Sequence, residues 1–298
     1  MRQQENSMNP KLNKIEGAPY GPRNKPAEIY GFDRVGLWLS VPDLPIEQAL
    51  LEEHCAKIAV VAHQMPYQAR WKLQVSLHQP TTECLHLLQQ ALGSAISVQI
   101  EYVEIDCDVL AKTPRQALEW QDAFLATAHM RHQRQTVVRF LNTWYWGRRA
   151  NRSGRRAKTL AVYADKPSKL NNARPAADAL PCLHIELRAD GVETSAILGL
   201  VSIQDLIDID YPMLWEKVLR LYELPKPTAL GRLLAKLNHA DTEVSGTALR
   251  NRAARWKAKY TLDGKFVMHN AVRGTPGIQR HLATVSFVQW LKTTTYLL

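Results

Sequence analysis

Two stretches of this chain alternate with a period of two, and that alternation constrains the fold more than any other feature. In "YVEIDCDV", Val103, Ile105, Cys107 and Val109 are apolar, and Glu104, Asp106 and Asp108 stand between them. In "PCLHIELR", Leu183, Ile185 and Leu187 alternate with His184, Glu186 and Arg188. Successive strand side chains project to opposite faces, so each stretch has one apolar and one polar face. A third stretch, "TLAVYAD", sets Leu160 and Val162 on one side and Tyr163 and Asp165 on the other. If these strands are neighbours, one polar sheet face gathers up to four carboxylates, a histidine and a tyrosine.

Such a face has two readings. A solvent-facing strand surface produces alternating acids by default. Alternatively, clustered carboxylates repel one another and call for a compensating cation. Oxygen donors suit a hard divalent ion, so Glu104, Asp106, Asp108 and Glu186 are candidate ligands for Mg²⁺ or Mn²⁺. Tyr163 gains a use in the second reading. A phenol is only about one part in a thousand ionised at pH 7, and a nearby lysine or divalent ion recovers much of that shortfall. Lys166, three residues on, is the candidate for the basic assistant. An aromatic in a strand also serves simply as packing.

The rest of the chain supplies the frame. "RVGLWLSV" and "RWKLQVSLH" read as strands, the second with Trp71, Leu73, Val75 and Leu77 on one face. "PIEQALLEEHCAKIAVVA" reads as a single helix opened by Pro45. "TTECLHLLQQALG" is a helix stopped by Gly93. "TPRQALEWQDAFLATAHMRHQR" is another, with Thr113 as N-cap and Pro114 at the first helical position. Within it His129 and His132 sit three apart, as a solvent-facing pair. "TVVRFLNTWYWGR" is a strand candidate. From about Tyr211 the pattern is mostly helical. The expected architecture is therefore α+β: a polar, mobile tail over 1–29, an antiparallel sheet domain with flanking helices over 30–210, and a basic, mostly helical part over 211–298.

Charge points to a partner. Lys and Arg number 38 against 28 Asp and Glu, a net charge of +10 in 298 residues. Nine of the cations fall between Arg131 and Lys158 with no acid among them. A second basic run, "RNRAARWKAK", spans Arg250 to Lys259. In the first run Trp144, Tyr145 and Trp146 are interleaved with arginines, a composition suited to neutralising phosphates and stacking on bases. Arg148, Arg149, Arg152, Arg155, Arg156, Lys158, Trp144 and Trp146 are thus candidate DNA contacts, with His184 near them. No membrane partner is expected: the longest apolar run, "SAILGLVSI", is far shorter than the roughly 18–20 residues of a bilayer span. The N-terminus lacks an apolar leader core, and Cys55, Cys84, Cys107 and Cys182 form no C-x-x-C pair, so reduced thiols in a cytoplasmic protein are expected.

The segments "TWYWGRRANRSGRRAKTLAVYADK" and "CLHIELRADGVE" together resemble the replication initiators of filamentous phages and related plasmids. "VEIDCD" is similar to that family's acidic strand, "LQVSLHQPTTECL" to the strand–Pro–helix segment before it, and "RWKAKYTLDGKFVMHNAVRGTPGIQRHL" more loosely to its helical tail. The resemblance implies rolling-circle initiation in a bacterial host. One strand of an origin, single-stranded or supercoiled, is nicked by a tyrosine that becomes 5′-phosphotyrosine-linked, with Mg²⁺ or Mn²⁺ and possible host replication proteins as partners. By position it implies Tyr163 as the nucleophile, Asp106 as acidic-strand ligand and Glu186 as the second carboxylate. The chain departs from the family's pattern where His184 replaces an Arg. It departs again where Asp165 takes the usual lysine position and Lys166 follows, and where Ser168 or Lys169 replaces a Glu. A non-catalytic DNA-binding protein, an inactive homologue and an assembly protein remain the alternatives.

Overall fold

In this computed structural model the described residues are 27–62, 70–147, 158–168, 180–240 and 243–293. The expected tail over 1–29 lies mostly outside them. Residues 27–29 already belong to the first strand, β1 (Ala27–Leu39).

The fold is α+β, as the alternation predicts. The strand elements are β2 (Lys57–Ala62), β3 (Leu73–His78), β4 (Val98–Leu110), β6 (Val137–Phe140), β7 (Thr143–Trp146), β8 (Lys158–Tyr163) and β9 (Cys182–Asp190). With β1 they form an eight-stranded sheet in the order β2-β3-β1-β4-β9-β8-β7-β6. Every neighbouring pair in it is antiparallel. The three alternating stretches are adjacent, so the condition for a shared polar face holds.

Local chemistry accounts for the helices around the sheet. Thr81 caps α2 (Thr82–Leu92) by accepting from the Cys84 amide, and Gly93 ends it at φ 56°. At that positive φ glycine is the residue without a steric penalty. Thr113 caps α3 (Pro114–Thr127) in the same way. On the apolar sheet face, α3 meets the C-terminal α10 (Phe287–Thr293). There the Phe124 ring lies edge-on to Trp146 at 5.9 Å and to Trp290 at 5.4 Å.

Several elements differ from the sequence expectation. The long helix from Pro45 is only α1 (Gln48–Glu52), and "KIAVVA" is β2, paired with β3. Its β-branched run packs better on a pleated surface than in a helix. The helix from Thr113 ends early. Ala128–Met130 becomes β5, which pairs with β10 (Leu219–Tyr222). "TVVRFLNTWYWGR" is a hairpin, β6 and β7, closed by a two-residue turn at Leu141 (φ 53°) and Asn142.

Two buried clusters organise the core. The larger includes the sheet's apolar face and also Trp215, Leu221, Phe287 and Trp290, so it crosses residue 210. The smaller is C-terminal: Tyr222, Leu230, Leu234, Ala253, Trp256 and Ile278 among others. It joins α7 (Pro227–Leu237) to α8 (Gly246–Lys259). These helices touch backbone to backbone. A Cβ on Gly231 would stand 2.2 Å from the Leu249 carbonyl oxygen, so no larger residue fits the crossing.

Candidate active site

Strand register builds the site in rows. Asp106 lies opposite Gly31 on β1 and Glu186 on β9, and Glu186 lies opposite Ala161 on β8. Asp108 pairs with His184, and His184 with Tyr163. Glu104 pairs with Arg34 and Arg188. Directly opposed residues share a face. Glu104, Asp106, Asp108, His184, Glu186, Arg188 and Tyr163 therefore converge on one side, while Asp165 lies beyond the end of β8, exposed and accepting from the Asn142 amide.

That side is not solvated. Glu104, Asp106, Asp108, His184 and Glu186 are at most 4% exposed, and Tyr163 is 5% exposed. Alternating acids on a wet strand surface are thus the wrong reading for this face. Buried charges need partners, and the partners are specific.

Glu186 is the hub. It accepts a hydrogen bond from the Tyr163 hydroxyl at 3.2 Å on Oε2, and it pairs with the Arg188 guanidinium through Oε1. Arg188 also binds Glu104 Oε1 at 2.7 Å. Burial opposes its charge, but Glu186 and Glu104 together hold the guanidinium above its ordinary range. Burial, followed by a hydrogen bond and repulsion from Glu186, pushes Glu104 up to about 8. Arg34, 3.9 Å from Glu104 Oε2, adds a second, more exposed cation beside the pair.

Asp33 completes the group. One oxygen each from Asp33, Glu104 and Glu186 lie within 4.8 Å of one another, an all-oxygen set that fits a hard divalent ion. Asp33 escapes sequence analysis because it is the extra residue of a β-bulge. Phe32 opposes Ile105 and Arg34 opposes Glu104, leaving Asp33 between them. A bulge re-aims a side chain without marking the alternation.

Asp108 belongs to a second group. Its Oδ1 lies 2.6 Å from His184 Nδ1, and its Oδ2 accepts from the Ser168 hydroxyl at 2.6 Å. The other ring nitrogen of His184 lies 3.0 Å from both the Lys166 carbonyl and Cys182 Sγ. Asp108 and Cys182 thus use opposite nitrogens of one imidazole, which makes the group a hydrogen-bonded brace for the ring. Tyr163 stacks on that ring, centroids 4.3 Å apart. Asp108 thus stands apart from the Asp33, Glu104 and Glu186 oxygens; with Cys182 and His184 it forms a separate buried group whose donor atoms lie within 4.8 Å of one another. The assignment of His184 as a DNA contact is corrected to a bracing role: it is enclosed at 1% exposure, and both ring nitrogens are engaged within the protein.

Lys166 is exposed, with its ammonium 5.7 Å from the centre of the Tyr163 ring. Burial, then Glu186, Asp106, Asp108 and Asp33, hold the Tyr163 phenol well above the usual tyrosine range. Without added positive charge this phenol stays protonated.

The other candidates divide. Trp144 and Trp146 are core residues, 2% and 0% exposed, because they oppose Val162 and Leu160 on the apolar face. Neither presents a ring for base stacking. Tyr145, between them, opposes Ala161 on the polar face and is only half-buried. Lys158 is half-buried in β8, and burial with Lys217 draws its ammonium below the usual lysine range. Arg148, Arg149, Arg152, Arg155 and Arg156 lie outside the described residues. His129 is in β5, stacked on His269 at 4.8 Å, and is not half of a helical surface pair. The four cysteines are buried thiols with no disulfide between them.

No protein-family model and no curated protein matches the chain. Among solved structures, a rolling circle replication initiator protein from Geobacillus stearothermophilus is similar over 67% of this chain and 88% of its own, at 10% identity and a TM-score of 0.36. A likeness that remote carries no argument, so the geometry must. No helix of the described residues is long and apolar enough to cross a membrane.

Proposed function

We propose that this protein is a metal-dependent DNA nicking and rejoining enzyme that initiates replication, with Tyr163 as its nucleophile. One observation carries the reading. The Tyr163 hydroxyl points its proton at Glu186, beside a buried convergence of carboxylate oxygens. A nucleophile within hydrogen-bond reach of a base is the arrangement covalent catalysis requires.

Asp33, Glu104 and Glu186 would hold Mg²⁺ or Mn²⁺, with Asp106 alongside in the Glu186 row. Bound there, the ion lowers the proton affinity of the phenol and polarises the phosphoryl oxygen. The residues do the rest. Glu186 takes the phenolic proton as the Tyr163 oxygen bonds to phosphorus. The bond from phosphorus to the upstream 3′-oxygen breaks, that oxygen takes up a proton as a free 3′-hydroxyl, and a 5′-phosphotyrosine remains. Lys166 offsets the charge near the phenol and the phosphate. The His184 ring, held by Asp108, fixes the plane of Tyr163. Origin DNA, single-stranded or supercoiled, is the substrate class, and the net charge of +10 favours such a polyanion.

The enclosure of Tyr163 and the weakened acidity of its phenol favour a second reading, an inactive homologue that only binds DNA. The deciding experiment incubates the protein with single-stranded and supercoiled DNA, with Mn²⁺ or EDTA, and resolves it on a denaturing gel. A metal-dependent protein–DNA adduct that disappears in Tyr163→Phe supports the enzyme. Binding without an adduct in any condition supports the inactive reading.

A further inference from the structure

The second basic run of the sequence forms α8, and its surface has an order that net charge does not describe. At 3.6 residues per turn, Leu249, Ala253 and Trp256 fall on one line and are buried against the C-terminal cluster. Thr247, Asn251, Ala254 and Ala258 fall on the opposite line, and all four are exposed. Arg250 and Lys257 flank this ridge on one side, Arg255 and Lys259 on the other. α8 contains no acidic residue.

We infer that α8 docks in the major groove of duplex B-DNA. The ridge is made of small side chains, so the helix can approach the floor of the groove. Among them Asn251 offers the paired donor and acceptor that match an adenine edge. The cations to either side reach the two phosphate walls. Fourteen residues give a helix about 21 Å long, and a groove about 12 Å wide admits it.

The same surface disfavours the other polyanions. Single-stranded nucleic acid is held by exposed aromatic platforms, and the aromatic of this helix, Trp256, faces inward, donating its indole N–H to Thr275. Duplex RNA closes its major groove to side chains. A membrane surface asks for large apolar residues on the outward ridge, where α8 has alanine and threonine. The helix is also a firm platform, since the Gly231–Leu249 crossing fixes it against α7.

This inference rests on reading the chain as a DNA-processing protein and adds the element that finds a duplex origin. It is tested in EDTA, without cleavage, so it stands or falls apart from the Tyr163 chemistry. Fluorescence anisotropy of the full chain is measured against a mixed-sequence 30-base-pair duplex and the corresponding 30-nucleotide single strand, over a salt series. In Arg250→Gln/Arg255→Gln the duplex affinity should drop at least about tenfold and the slope of log K against log salt should lessen by about 2, with single-strand affinity within about twofold of wild type. Ala254→Phe, which keeps every charge but thickens the ridge, should also weaken duplex binding. These positions are exposed, so an unchanged melting temperature establishes that the fold is intact. Unaltered duplex binding in both variants, or an equal loss for the single strand, overturns the inference.

Discussion

Tyr163 lies nearly parallel to His184, with ring planes 22° apart and centroids 4.3 Å apart. The imidazole is in turn fixed by Asp108, so three residues on three adjacent strands hold one phenol in one plane. Removing the lowest member tests the brace. Asp108→Ala strands a buried imidazole and the Ser168 hydroxyl, and should lower stability by about 3 kcal/mol in urea unfolding. Tyr163→Phe loses one hydrogen bond and should stay within about 1 kcal/mol of wild type.

Metal affinity should depend on pH through Glu104. Its carboxyl is pushed up to about 8 by burial and by Glu186, so below that pH an incoming cation must displace a proton. Mn²⁺ affinity, read from the electron paramagnetic resonance signal of the free ion, should rise by up to about tenfold per pH unit between pH 6 and 8. Glu104→Gln removes that titrating group. The variant should bind Mn²⁺ more weakly at pH 8, with a flatter pH profile.

Trp146 and Tyr145 are adjacent in sequence and opposite in role. Trp146 is enclosed against Phe124, so Trp146→Ala should cost roughly 3–5 kcal/mol of stability. Tyr145 faces the site in the row of Ala161 and Glu186. Tyr145→Ala should melt near wild type and bind single-stranded DNA several-fold more weakly. Equal affinities for Tyr145→Ala and wild type would remove Tyr145 from the DNA path.

Acid sensitivity should come from His129 and His269. Burial, then His269 and the neighbouring arginines, lowers His129 to about 3. Burial, partly opposed by the hydrogen bond to Gln135, lowers His269 to about 4. Between those values and the unfolded value near 6.5, the unfolded chain binds protons that the folded pair does not. Stability is therefore fully present above about 6.5 and is lost as pH falls toward 4, by roughly 1–2 kcal/mol per unit for the two groups together. Urea midpoints of His129→Gln/His269→Gln should fall less steeply over that window.

Much of the frame is legible in the chain itself. Strict alternation identified β3, β4 and β9, and Thr113 and Gly93 marked helix limits that local chemistry sets. Short elements were not legible. β2 and β5 are strands because β3 and β10 complete their hydrogen bonds, and the single strand read over "TVVRFLNTWYWGR" folds back on itself as β6 and β7. Asp33 was hidden for a related reason, since a bulge is defined by the register of two strands.

The sequence by itself determined that Glu104, Asp106, Asp108, His184, Glu186 and Tyr163 would share a face once their strands became neighbours, because side-chain alternation is a property of the extended backbone. Tertiary structure alone decided that the face is enclosed, that Asp108 braces His184 while Glu104 and Glu186 meet Asp33, and that Trp144 and Trp146 turn into the core. Those outcomes depend on which strand lies opposite which and on what covers the sheet. They are set by contacts between residues far apart in the chain, which local periodicity does not encode.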